Sequence, residues 1–203
     1  MTAGRTTLPP PDTEGGLPLA AALARRRSVR AFAARALTAA ELGQLLWAAQ
    51  GRTDPGEGKR AAPSAGALHP LGLYAATADG LSRYIVEAHA LEHISSRDLR
   101  AGLADAALGQ REVAQAPCVL LLTAVAARTT RKYGERGVRY VHMEVGHAAQ
   151  NVLLAAAALG LAAYPVGAFD DARVGELLQL GRGEAALYLL PVGAPPFATR
   201  SRS

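Results

Sequence analysis

The sequence predicts an α+β domain over residues 17–193, with helices covering a central mixed β-sheet. Two observations carry that expectation. The runs "LGLYAAT" and "LSRYIVEA" flank "ADG", a hairpin signal, while "VLLLTAV" and "AALYLLPVG" arrive as separate strands with several helical segments around them. In addition, 203 residues that are 50% hydrophobic and 19% charged suit one compact domain, and 5% aromatic content leaves aliphatic and alanine packing to fill its core.

Residues 1–16, with "LPPP" and "EGG", read as a flexible tail, and residues 194–203 as a second one. A first helix is expected from Leu17 to about Arg27. The next begins at Thr38, where Thr38 and Glu41 have capping-box spacing, and Gly51 closes it. "GRTDPGEGKRAAPSAG" is a Gly- and Pro-rich loop of the length that compact domains keep for binding. Beyond the hairpin, a helix over about Asp98–Leu108 leads to a strand at Val119–Val125. The longest helix is expected from about Val138 to Leu159. Its late "VLLAAAAL" is apolar all round and needs cover on every side, which points to a second subunit. "AAYPVGAF" then reads as a short strand and bend, and "DDARVGELLQLG" as a helix capped by Asp170 with Gly181 past its end. "AALYLLPVG" completes the domain as a buried strand.

Several function classes recede on composition. The single cysteine, Cys118, rules out an internal disulfide framework and favours a reducing cytoplasm, and within "PCVLLLTAV" it reads as a packing residue. The apolar "LPLAAALA" precedes its basic cluster, the reverse of a secretory signal. Gly160 and Pro165 interrupt the longest apolar run, Val152 to Phe169, so no membrane span is expected. Net charge +5 and a pI of 9.8 permit an anionic partner. The arginines are scattered, however, and no motif of stacking aromatics points to nucleic acid.

Five short motifs carry chemistry. "HALEH", His89 to His93, has the spacing of an inverted zinc-peptidase motif but follows directly on a strand, so a zinc site is not expected. "EVGH", Glu144 to His147, is one copy of a pattern that di-iron bundles need twice. "RRRSVRAF", residues 25–32, is either a solvated basic patch or a grip for phosphate and polar ring atoms. "APSAGALHP", residues 62–70, is either a surface turn or a backbone able to lie against a flat ligand. "YPVGAF", residues 164–169, places Gly167 where backbone amides could approach a ring.

Taken in order, the last three resemble the FMN-dependent nitroreductase superfamily from about Arg25 to Gly193. The arginine-rich opening is met by Arg26, Arg27, Ser28, Arg30 and Phe32. The loop of Pro, Ser and small residues is met by Pro63, Ser64, Ala65 and Gly66, and the third segment by Pro165, Val166, Gly167, Ala168 and Phe169. The resemblance implies a homodimer with FMN at the subunit interface. Arg26 to Arg30 would bind the phosphate, ribityl chain and N1/O2 edge, Pro63 to Gly66 would come from the other chain, and a backbone amide near Gly167 would face N5. Gln110 would be a further flavin neighbour. The family's basic residue beyond the last strand has only Arg200 and Arg202 to fill it.

The stretch "RKYGERGVRY" narrows the resemblance. Of 22 basic residues only Lys59 and Lys132 are lysine, and lysine, unlike arginine, can be tuned to release a proton near neutral pH. With the following "EVGHAAQNVLLAAAALGL", the Lys132-Tyr133 pair resembles the SagB and thiazole-oxidase branch, which oxidises azoline rings in ribosomally made peptides to azoles. On that resemblance Lys132 or Tyr133 is the catalytic base, with a peptide or small molecule as substrate and a cyclodehydratase as partner. The alternatives are an NAD(P)H-dependent nitro or quinone reductase and a noncatalytic flavin-binding assembly subunit. Read by residue type alone, Lys132 is equally a surface cation and Tyr133 a packing residue.

Overall fold

The computed structural model describes residues 4–196 apart from Gly15 and Pro55. Among these residues, strands β1 (Arg5–Thr7), β2 (Leu71–Thr77), β3 (Gly80–Ile85), β4 (Ala90–Ser95), β5 (Cys118–Val125), β6 (Ala162–Ala163) and β7 (Glu184–Gly193) form one sheet. Their spatial order is β1-β4-β3-β2-β5-β7-β6. Every ladder between these strands is antiparallel, so the mixed character of the sheet is confined to one isolated parallel bridge, Ser28–Ala163.

Alternation along the strands divides the core. Leu71, Leu73 and Ala75 of β2 join one apolar cluster and Tyr74 and Ala76 the other, as a side-chain period of two requires. On the first face lie α2 (Ala39–Gln50) and the long α6 (Arg136–Ala158), which pack together; on the second lie α3 (Arg100–Ala106), α4 (Arg111–Gln115) and α7 (Asp171–Leu178). Two short helices complete the set: α1 (Leu19–Arg25), packed on α6, and α5 (Ala127–Tyr133), which turns at Gly134 into α6.

Local signals act as their chemistry dictates. Thr38 Oγ1 accepts from the Glu41 backbone N–H at 3.1 Å and the Glu41 carboxylate accepts from the Thr38 N–H at 2.8 Å, a complete capping box. Arg35 adds a two-pronged ion pair to Glu41 at 2.7 and 2.8 Å. Its hydrogen bonds, with those from Thr38, hold the Glu41 carboxyl down at about 2. Gly51 does end α2, for lack of a side chain: a Cβ there would come 2.1 Å from the Trp47 ring. Cys118 is buried, and burial raises its thiol to about 12, as befits a packing residue.

Two expectations change, and two further segments take definite form. Residues 5–14 do not hang free: β1 pairs with β4, Leu8 is buried, and the Asp12 N–H donates to Gln44 Oε1. Residues 1–3, 15 and 197–203 of the two expected tails, Arg200 and Arg202 among them, lie outside the described residues, while Ala194 is buried and its carbonyl accepts from the Ala33 N–H at 2.8 Å. The "HALEH" segment opens strand β4, and His89 spends both ring nitrogens on structure, at 2.8 Å from Tyr84 Oη and from the Pro9 carbonyl oxygen. The α7 helix ends at Leu178, with Gln179 in a left-handed conformation and Gly181 past its end as expected. Finally, Val152, Leu153 and Ala156 are buried within this chain, because α2, β6 and β7 already cover that stretch of α6. Apolar exposure falls instead on Leu19 and Leu23 of α1 and on Val138, Met143 and Leu159 along or just past α6. No helix among the described residues is long and apolar enough to cross a membrane.

Candidate active site

The sequence-selected residues gather into two groups. The first surrounds a tight turn at residues 64–67, where Gly66 has φ +61° and Ala67 and His69 also take positive φ. Three such residues within four positions hold the loop in a shape that ordinary residues resist, and strain of this kind concentrates at functional sites. Ser64 Oγ fixes the turn by accepting from the His69 N–H at 2.9 Å. Lys132 and Tyr133, in the last turn of α5, reach over it: a Cβ built on Gly66 would stand 2.7 Å from Tyr133 Oη and 3.0 Å from Lys132 Nζ. The ammonium lies 5.4 Å from the centre of the Tyr133 ring, and Tyr140 meets that ring edge-on with centroids 5.2 Å apart. Gly66 is thus a side-chain-free turn residue over which an amine and a phenol close.

Beneath that platform lies a residue whose role the motif reading missed. Glu144 is buried among the apolar residues of α6, and burial raises its carboxyl while Ser64, Arg60 and Gln50 partly offset the cost. Although Ser64 and Gln50 exert a hydrogen-bonding influence on it, strict geometry leaves Glu144 Oε1 and Gln50 Nε2 without partners. Helical spacing held the signal, because Glu144 shares a stripe with Val141, Val145, Ala148 and Val152. Asn151 Nδ2 donates to the Ala61 carbonyl at 3.3 Å, a second tie between α6 and the loop.

The second group lies where the chain leaves α6. Ser28 bridges Ala163, and the Val29 N–H donates to the Ala163 carbonyl at 3.1 Å, so the arginine-rich opening runs beside "YPVGAF". Arg30 sits 4.9 Å above the Tyr164 ring, which also stacks with Phe32 at 6.4 Å. Arg27 curls back to donate to the carbonyls of Ala24 and Arg26, both at 2.8 Å, capping the end of α1. Arg26 is half-buried and Ser28 is exposed. Val166 exchanges two backbone hydrogen bonds with Leu189, which anchors the segment, leaving Pro165 half-buried and Gly167 and Ala168 exposed beyond it. Gln110 belongs to this side: its amide donates to the Ala107 carbonyl, in a turn tied to the segment through the Asp170 N–H and the Ala106 carbonyl at 2.9 Å.

No hydrogen bond, ion pair or ring contact joins the two groups among the described residues. The α6 helix separates them: Tyr140, beside the first group, and Ala158, before the second, are about 27 Å apart along its axis. The donor sets suit FMN, with exposed guanidiniums and a hydroxyl for a phosphorylated polyol, and exposed backbone at Gly167 and Ala168 for a flat ring.

The nitroreductase family model matches residues 23–194. The chain belongs to the nitroreductase family. A Methanocaldococcus jannaschii protein described as a candidate nitroreductase is 46% identical over 189 residues, 90% of this chain and 93% of that protein. A candidate nitroreductase from Ralstonia eutropha has the same fold with a TM-score of 0.86 and 31% identity, covering 94% of this chain and 89% of that one. A chain of the E. coli microcin synthetase McbBCD complex, bound to truncated pro-MccB17, superposes with a TM-score of 0.72 at 24% identity, over 80% of this chain and 66% of that one; this likeness is one of fold. As a nitroreductase-family member, the protein is an FMN-dependent oxidoreductase.

Proposed function

We propose that the protein is a homodimeric dehydrogenase that oxidises azoline rings in a ribosomally made peptide to azoles. The observation that carries this reading is the convergence of Lys132 Nζ and Tyr133 Oη on Gly66. A reductase that takes hydride from a nicotinamide needs no base at this position, whereas removing hydrogen from a C–H next to a C–H does. A chain of the microcin synthetase complex has the same fold, which is compatible with this reading.

Bound FMN would supply the two-electron acceptor, taking hydride from one ring carbon of the azoline. The chain's own residues do the rest. Arg26, Arg27, Ser28 and Arg30 would hold the phosphate, ribityl and N1/O2 edge, with Gln110 close by, and the exposed backbone of Pro165 to Ala168 would border the ring. Pro63, Ser64, Ala65 and Gly66 of the second copy would form its other wall. Lys132 or Tyr133 then takes the proton from the neighbouring carbon, and the ring leaves two hydrogens lighter. A cyclodehydratase is the partner whose chemistry would supply the azoline.

A second reading, an NAD(P)H-dependent nitro or quinone reductase, draws on the 46% and 31% identities to proteins described as candidate nitroreductases. One pair of assays separates the two. Incubation with a heterocyclised peptide and FMN should give a two-dalton mass loss per ring, with slow bleaching of the flavin by NADPH or NADH in stopped flow. Fast bleaching without peptide oxidation would transfer the assignment to the reductase.

A further inference from the structure

Arg5, Arg35, Lys59, Arg60, Arg100 and Arg173 each face a carboxylate. The corner between α5 and α6 is built differently. Between Ala126 and Met143 the chain carries Arg128, Arg131, Lys132, Arg136 and Arg139 against one carboxylate, Glu135. All five cations are exposed, and among the described residues none of them forms an ion pair. Arg128 donates to the His69 carbonyl and Lys132 lies near the Tyr133 ring, and neither contact neutralises a charge.

The corner is also tight. A Cβ on Gly137 would stand 2.8 Å from the Thr130 Cα, so the two helices meet backbone to backbone, and the Tyr133 and Tyr140 rings close the contact. At 100° per residue, Arg128, Arg131 and Lys132 fall within a sector of about 100° around α5, and Arg136, Arg139 and Tyr140 within a similar sector around α6. Like charges three and four residues apart repel. The C-terminal end of α5 favours Arg131 and Lys132, but Arg136 and Arg139 stand in the first turn of α6, where the helix dipole disfavours cations. That turn holds no acidic residue, and Glu135 makes no side-chain cap. Nothing within the chain offsets this charge, whereas anions brought from outside would.

We propose that the α5–α6 corner binds an acidic stretch of a peptide, through Arg128, Arg131, Arg136 and Arg139. Cations spread over two helices suit carboxylates spaced along an extended chain better than they suit one compact phosphate. A nucleic acid would need open ring faces for its bases, and the Tyr133 ring is already engaged by Lys132 and Tyr140. Because the corner carries Lys132 and Tyr133 over Gly66, a peptide held there would bring its neighbouring residues to that pair. Identifying the peptide with the substrate rests on the azoline reading; the binding itself does not.

Fluorescence anisotropy of the flavin-loaded protein tests the proposal with three labelled probes: a Gly-Ser peptide bearing spaced glutamates, its glutamine counterpart, and oligo(dT). Saturable binding of the glutamate peptide is expected, weakening as salt is added, with none of the glutamine peptide. The double variant Arg136→Gln/Arg139→Gln should keep its melting temperature and bind the glutamate peptide about five- to tenfold more weakly, as the loss of two exposed charge pairs implies. Arg131→Gln should weaken it less, and Arg97→Gln and Arg182→Gln, exposed elsewhere, should not. Equal binding of the glutamine peptide, tighter binding of oligo(dT), or undiminished binding in both the double variant and Arg131→Gln overturns the proposal. With an azoline peptide flanked by glutamates, the double variant should raise KM and leave kcat unchanged. Binding of the acidic probe without any azoline oxidation would defeat the azoline reading and leave this surface standing, and oxidation with an unchanged KM in the double variant would do the converse.

Discussion

A methyl group on Gly66 would stand 2.7 Å from the phenolic oxygen of Tyr133, closer than packed atoms tolerate. Gly66→Ala therefore has two consequences. The left-handed backbone at φ +61° costs an alanine about 1–2 kcal/mol, and the phenol must move. The variant should lose that much stability in urea unfolding. Turnover should fall by an order of magnitude or more, as misplacement of a reacting group implies. Wild-type turnover would show that the Tyr133 position is not used.

Lys132→Ala and Tyr133→Phe should retain fold and FMN while slowing azoline oxidation by about two to four orders of magnitude, the range for losing a positioned proton-transfer group. Lys132→Arg divides the possibilities: rescue by arginine means that charge alone matters, and failure means that the proton does. Arg26→Ala should act the other way, weakening FMN retention first, as read by equilibrium dialysis. Normal rates in both Lys132→Ala and Tyr133→Phe would move the assignment to the reductase.

Separation of the two groups along α6 predicts complementation between subunits. Arg26→Ala damages one wall of each proposed site and Lys132→Ala the other. Hybrid dimers of the two variants would carry one site with both lesions and one with none. Statistical mixing after subunit exchange should then restore about a quarter of wild-type activity. If both walls came from one chain, each site would keep a lesion and mixing would restore nothing.

Glu144 predicts an unusual pH response. Its folded pKa is raised, so its contribution to stability is full below the unfolded value, about 4.3, and is lost as pH rises through the folded value. Glu144→Gln keeps the shape and removes the titration. The variant should melt higher than the parent at neutral pH, and the difference should shrink or reverse toward pH 4. A lower melting temperature at pH 7 would mean that Glu144 is held as a compensated anion.

Local chemistry made part of this protein legible in advance. The Thr38–Glu41 capping box, the hairpin at Ala78-Asp79 and the Asp170 cap each involve groups within a few residues of one another, so composition and spacing suffice to place them. Strand β4 was not legible, because "ALEHIS" is short and polar and becomes a strand only by pairing with β3 and with β1, some 85 residues away. Glu144 was legible as a carboxylate on a buried stripe and was overlooked because its motif was read for metal.

The sequence by itself determined which residues could do chemistry: a scarce lysine beside a tyrosine, an arginine-rich opening, a loop of small residues, and the order that joins them to the family. Only the tertiary structure decided what each of them meets. Burial of a helix face depends on the area its neighbours cover, so α2 and the sheet of the same chain shield Val152, Leu153 and Ala156. Contact between Gly66 and the Lys132-Tyr133 pair spans some 65 residues of chain. Electrostatic and steric energies follow distance in space, and no local pattern records that distance.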